Sequence, residues 1–171
     1  MTRTRHLPRI EPLSAEAFRP YGEVIEARAT AQHYSINRGD AVRYHDLADL
    51  DVLAGGGRPI LSIFRAQPHA LPLQLSIIER HVLGSQAFIP LGPQRWLVVV
   101  AFAGPPPGPA QLRCFLAAPG QGVNYARGTW HHPLLALDTP GDFLVIDRGS
   151  APPADDCDEH SLQAMQLWVD G

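Results

Sequence analysis

The chain has 171 residues, 45% of them apolar, and a formal net charge of −3; this suits a single domain spanning 1–171, and the mild acidity argues against nucleic acid as a partner. No apolar run approaches the ~20 residues of a membrane span, and the arginines of the N-terminal MTRTRHLPRIEP have no apolar stretch behind them, so neither membrane insertion nor a secretory leader is expected. Two cysteines, Cys114 and Cys157, with no CxxC between them, fit a reducing cytoplasmic setting, and because all fourteen basic residues are arginine a lysine Schiff base is excluded, leaving carboxylates, imidazoles, arginines or a metal to carry any chemistry.

In chain order, Leu13 to Tyr21 reads as one short helix, with Ser14 as N-cap and Pro20 as its stop. Gly22 to Glu26 is a short strand. His33 to His45 mixes polar and aromatic residues around a turn at Arg38-Gly39-Asp40, Asp46 to Ala54 predicts one or two helical turns, and Gly55-Gly56-Gly57 breaks the chain. Strands dominate from there: Pro59–Gln67, Leu73–His81, Ser85–Pro90, Gln94–Phe102, Leu112–Leu116, Leu134–Leu137, Asp142–Asp147 and Ser161–Val169. Gln94 to Phe102 is nearly all apolar and reads as buried on both faces. Many short strands between turn-rich breaks predict an all-β sandwich or barrel.

Within Leu73–His81 the odd positions Leu73, Leu75, Ile77, Glu79 and His81 share one face by strand periodicity, and Gln74, Ser76, Ile78 and Arg80 look outward. An apolar face therefore ends in a carboxylate beside an imidazole, at the mouth of any barrel whose interior that face lines. A solvated tip on an edge strand is the plainer alternative. Gln86, on the next strand, would be returned over the same cavity by a short hairpin, and its amide suits a carboxylate, amide or urea group.

The densest run of reactive side chains is Gly120 to Leu135, GQGVNYARGTWHHPLL. Pro133 holds His132 extended. On a strand His131 and His132 then point to opposite faces, and only one of them faces a pocket.

Glu79-x-His81-x4-Gln86, followed by Gly128-x-x-His131, resembles the two metal-site motifs of the cupins, with Glu79 in place of the first histidine and Gln86 in place of the glutamate; this selects His131 over His132. The fuller wording RYHDL (43–47), RAQP (65–68), ERHxLGSQAFIPL (79–91), GQGVNYxRGTWHHPL (120–134), DFLVIDR (142–148) and CDE (157–159) resembles the bacterial ureidoglycolate lyases from about Leu13 to Trp168. One departure is Ala126, where other members can carry histidine.

The resemblance implies a cupin jelly roll, a homodimer, and cleavage of ureidoglycolate to glyoxylate and urea in allantoin breakdown. It also implies dependence on a divalent metal, Ni²⁺ first and Mn²⁺ or Zn²⁺ after it, with Glu79, His81, Gln86 and His131 as the ligand set. The apolar Leu-Trp-Val near the C-terminus is a candidate to pack across the subunit boundary. For an acid–base elimination, Glu79 or His131 is the candidate base and His81 the acid or a ligand. Arg65, on a strand face with Leu61 and Ile63, or Arg127 is the candidate carboxylate clamp. Asn124, Tyr125 and Gln86 are candidates for the urea, with Trp130 beside them, and Asp147 for orienting an arginine or histidine. The alternatives are an amidohydrolase releasing ammonia from the same substrate, a different metal-dependent cupin enzyme, and a non-catalytic cupin ligand-binding module.

Overall fold

The computed structural model describes residues 8–153 and 155–170; residues 1–7, part of the segment read above against a secretory leader, lie outside the described residues. The described residues build sixteen strands: β1 (Ile10–Pro12), β2 (Gly22–Ile25), β3 (His33–Ile36), β4 (Ala41–Tyr44), β5 (Arg58–Ala66), β6 (Leu73–Gln74), β7 (Ile77–His81), β8 (Gln86–Pro90), β9 (Trp96–Ala101), β10 (Arg113–Ala117), β11 (Gly122–Tyr125), β12 (Trp130–His131), β13 (Leu135–Ala136), β14 (Gly141–Gly149), β15 (Cys157–Ser161) and β16 (Trp168–Val169). One sheet runs β1-β10-β9-β12-β7-β15, with β13 also on β9, and the other runs β2-β11-β8-β14-β5. They face each other as an all-β, cupin-type barrel. Among the described residues no helix is long and apolar enough to cross a membrane.

The predicted helix is present as α1 (Ala15–Phe18), shorter than expected, with the Ser14 hydroxyl accepting from the Ala17 N–H at 3.2 Å. It delivers Phe18 into the space between the sheets, edge-on to Phe115 at 5.9 Å. The chain then reverses through Gly22, whose φ of +144° and close approach to the Asn124 carbonyl leave no room for a Cβ.

Two cores form, one on each face of the first sheet. Between the sheets lie Phe18, Tyr21, Val24, Phe88, Trp96, Val98, Val100, Phe115, Val123, Tyr125 and Phe143. Behind the first sheet lie Leu75, Ile78, Leu97, Val99, Cys114, Trp130, Leu162, Leu167 and Val169. Strand β9 alternates between the two, which is why all six of its residues are buried, as the unbroken apolar run predicted. Burying one such side chain contributes roughly 1.5–3 kcal/mol.

The structure corrects four expectations. Residues 46–53 form no helical turn; a short 3-10 turn comes later, at Ala54–Gly56. The segment instead crosses the outside of the second sheet as a strap, its Asp49 and Asp51 carbonyls accepting from Asn124 Nδ2 and the Ser85 N–H, both at 2.9 Å.

Leu73–His81 is not one strand. It breaks at Leu75-Ser76, where Leu75 N–H bonds the Leu167 carbonyl at 2.9 Å, and the break shifts the alternation. Leu75 and Ile78 both enter the rear core, and only Ile77, Glu79 and His81 keep the inner face.

The following strand β8 joins the other sheet, so β7 and β8 form no hairpin. The chain end is likewise not one strand: β15, a 3-10 turn at Gln163–Met165 and β16 succeed one another, and Leu167 and Val169, both 0% exposed, pack into this chain's own rear core. Trp168 between them is half-buried.

Candidate active site

Three of the predicted residues meet inside the barrel. Glu79 and His81 stand on the inner face of β7, and His131 on β12 is the direct partner of Glu79 in the ladder. The turn before β12 is set by Gly128, at φ +79°, whose N–H donates to the His81 carbonyl at 2.8 Å. One ligating atom from each of Glu79, His81 and His131 lies within 4.8 Å of the other two. His131 Nδ1 is 3.9 Å from Glu79 Oε1 and 3.3 Å from the His132 carbonyl. The Nε2 atoms of both His81 and His131 are shielded from solvent and have no hydrogen-bond partner.

Burial sets the electrostatics. Loss of solvent raises the pKa of Glu79, against an opposing pull from His81; Glu159 adds to the rise, and the Cys157 thiol opposes it. The same loss pushes His131 down to about 3, with His81 adding to the effect. His131 is therefore a neutral imidazole at neutral pH. His132 points away from the pocket; its Nδ1 pairs with the Pro133 carbonyl at 2.8 Å, and burial lowers its pKa as well.

The second sheet supplies the facing wall. Tyr125 stacks on His131 with ring centroids 4.1 Å apart, and burial first, then Glu79, raises its phenol pKa, so it stays protonated. Gln86 is the ladder partner of Tyr125 and so shares its inward face. Gln86 Nε2 donates to Asp147 Oδ2 at 3.3 Å. Asp147 thus holds a glutamine, where an arginine or histidine was expected. An open cleft of about 430 Å³, lined by Phe64, Arg65, Ala66, His69, Glu79 and Phe88 among others, reaches Glu79 between β7 and β5.

Asn124 and Trp130 are placed away from the pocket, and the two arginines are each held in an ion pair, Arg65 at the rim of the cleft. Arg65 lies with Leu61 and Ile63 on the outward face of β5, 74% exposed and paired with Asp142 through two bonds of 2.8 and 2.9 Å. Asn124 points away from the pocket beneath the 46–53 strap, its amide donating to Glu23 and the Asp49 carbonyl at 2.9 Å each. Trp130 is in the rear core, its indole N–H on the Gly104 carbonyl at 3.0 Å and the Arg80 guanidinium 4.6 Å above its ring. Arg127 is half-exposed and bidentate to Asp51 at 2.7 and 2.8 Å. Its side chain lines a separate depression with Ala54, Gly55, Leu83 and Arg148.

Strand β15 adds residues to which no role had been given. Cys157 and Glu159 are ladder partners of His81 and Glu79, and Cys157 Sγ is 3.9 Å from Glu79 Oε2. Cys157 thus lies on a strand. Asp156 Oδ2 is 4.0 Å from His81 Nδ1. The signal available was the CDE triplet, whose first and third residues share a strand face.

Residues 5–170 match the family model for ureidoglycolate lyase. The chain is 54% identical to a ureidoglycolate lyase from Burkholderia cepacia over 156 residues, covering 91% of this chain and 86% of the relative. It is 52% identical to one from Azotobacter vinelandii (strain DJ), with 88% and 89% covered, and 48% identical to one from Pseudomonas aeruginosa (strain LESB58), with 95% of each covered.

Proposed function

The chain belongs to the ureidoglycolate lyase family, and from that premise we propose that its barrel cleaves ureidoglycolate to glyoxylate and urea. The carrying observation is the convergence of Glu79, His81 and His131 within 4.8 Å. Ureidoglycolate is a carbinolamide: one carbon bears a carboxylate, a hydroxyl and a urea nitrogen. Glu79, its basicity raised by burial, takes the hydroxyl proton. The O–H electron pair becomes the new C=O bond, the C–N pair leaves with nitrogen, and the same carboxyl returns the proton to that nitrogen. His131, kept neutral, serves as acceptor or ligand rather than acid, and His81 orients the substrate hydroxyl. Arg65, which lines the cleft with Glu79, or Arg127, each released from its aspartate partner, is the proposed clamp for the substrate carboxylate.

One ring nitrogen each from His81 and His131, with one Glu79 oxygen, forms a donor set suited to a divalent ion, Ni²⁺ before Mn²⁺ or Zn²⁺, and the Nε2 of each imidazole has no other partner. Gln86, the fourth residue of the expected set, stands on the facing wall hydrogen-bonded to Asp147 and is not counted among the ion's donors in this proposal. When bound, such an ion lowers the pKa of the substrate hydroxyl. The proposal extends to a single-domain, cytoplasmic homodimer that places the reaction in allantoin breakdown, with the outward Leu61 and Ile63 of the β5 edge strand as apolar surface available to a second copy. Light scattering that gives a monomer mass at micromolar protein removes the dimer.

The reaction is tested by incubating purified protein with ureidoglycolate and adding urease only afterwards. Glyoxylate with equimolar urea, and ammonia only after urease, is the expected result. Ammonia released at once would mean that an amide bond is hydrolysed and would end the lyase assignment.

A further inference from the structure

Among the described residues of the second sheet three buried acceptors have no donor; Asn124 Oδ1 lies on the outward face, and the other two belong to Gln86 and Asp147. Gln86 is 5% exposed. Its Nε2 is spent on Asp147 Oδ2, and that contact fixes the amide orientation, because only the NH₂ end can donate to a carboxylate. The remaining atoms, Gln86 Oε1 and Asp147 Oδ1, are both shut off from solvent and unpartnered. A buried acceptor without a donor is costly, so a pair of them side by side calls for a group rich in N–H.

We infer that Asp147 and Gln86 form an acceptor wall that recognises the ureido end of the substrate and sets its direction in the pocket. This rests on the reaction proposed above. A ureido group carries three N–H donors and one carbonyl, and two acceptor oxygens on hydrogen-bonded neighbours complement its donor edge. The wall also works by exclusion: the negative charge of Asp147 repels a carboxylate, so the substrate enters with its carboxylate turned away, toward the opening of the cleft. The placement is consistent across both sheets. Gln86 is the ladder partner of Tyr125, Tyr125 lies on His131, and Phe88, two residues along the same face from Gln86, lines the cleft with Glu79. Asp147 thereby acts as a specificity residue for the nitrogen end, while proton transfer belongs to the opposite wall.

Calorimetry with two unreactive carboxylates tests this. N-carbamoylglycine keeps the ureido group and lacks the hydroxyl, and N-acetylglycine replaces the terminal NH₂ by methyl. The wild-type protein should bind N-carbamoylglycine at least about tenfold more tightly, as expected for buried acceptors left unpaired by the acetyl compound. Asp147→Asn keeps an oxygen for Gln86 and turns the free position into a donor; Gln86→Met removes the other acceptor at similar volume. Each variant, with its thermal unfolding confirmed, should reduce the preference to within about twofold while glyoxylate binding is retained. Equal binding of both ligands by wild type, or an undiminished preference in both variants, overturns the inference. Turnover of ureidoglycolate by the same wild-type preparation is read separately: no urea release defeats the proposed reaction, while the binding contrast still judges the wall.

Discussion

Tyr125 lies flat on His131, the two ring planes 3° from parallel and their centroids 4.1 Å apart. The residues come from different sheets, β11 and β12, so the stack joins the two walls of the barrel at the site itself. It fixes the imidazole plane, leaving Nδ1 toward the His132 carbonyl and Nε2 toward the pocket.

Glu79→Gln removes the proton carrier at nearly constant volume. Its kcat for urea and glyoxylate release should fall by about 10²–10⁴-fold with little change in thermal midpoint. His131→Ala should also abolish most turnover, and it should lower the midpoint because the Tyr125 stack is lost. Retention of wild-type kcat by both variants would remove these residues from the chemistry.

The depressed pKa of His131 makes stability depend on pH in a definite direction. Above the ordinary histidine value of 6.5 both folded and unfolded states hold it neutral. As pH falls from 6.5 toward about 3, the unfolded chain takes a proton that the folded site refuses, so stability is lost with acid. His132, also lowered, acts in the same direction; Glu79, whose pKa is raised, opposes them below its own folded value. Denaturant titrations of chelator-treated protein should show this loss beginning near pH 6.5, and His131→Asn should reduce its slope by about one bound proton. A slope unchanged in the variant would mean that His131 is protonated in the folded state.

Trp130 belongs to the rear core, so Trp130→Phe should destabilise without altering catalysis. Loss of the indole hydrogen bond to Gly104 and a weaker contact with Arg80 should cost about 1–2 kcal/mol. KM and kcat at a temperature where the variant is folded should match wild type. A changed KM would place the indole in contact with substrate.

Ion binding is tested by elemental analysis and melting. Ni²⁺ added to chelator-treated protein should raise the unfolding midpoint in proportion to the logarithm of its concentration, as a ligand of the folded state does. His81→Ala should bind less metal and lose that rise. A rise preserved in His81→Ala would place the ion elsewhere.

The sequence made the front of the pocket legible and misplaced much of its surroundings, for identifiable reasons. Glu79, His81 and His131 follow from strand alternation and the turn at Gly128. Alternation alone does not say which face is inside, and here the first sheet has a core on each side, so Trp130 and Ile78 are buried while pointing away from the pocket. The same ambiguity inverted β5, sending Arg65 out and Phe64 in. The break at Leu75-Ser76 carries no glycine or proline to announce it; it is imposed by the chain end packing behind the sheet. Strand β15 escaped notice because CDEHS, on an exposed edge, has no apolar pattern to read. Asn124 is tied down by a strap that was read as helix, its leucines and Val52 being spaced much as on a helical face.

The pairing of β15 with β7 has a consequence for the order of events during folding. Cys157 reaches Glu79 across 78 residues of sequence, and Glu11 reaches Arg113 across 102. Contacts this distant are slow to form, because each must first close a long loop. A chain collapsed only as far as β11 already contains Glu79 and His81, but it has neither the imidazole of His131 nor the strand that flanks them. The pocket is therefore among the last features of the molecule to come into being, and the return of activity on refolding should lag behind the return of β-structure.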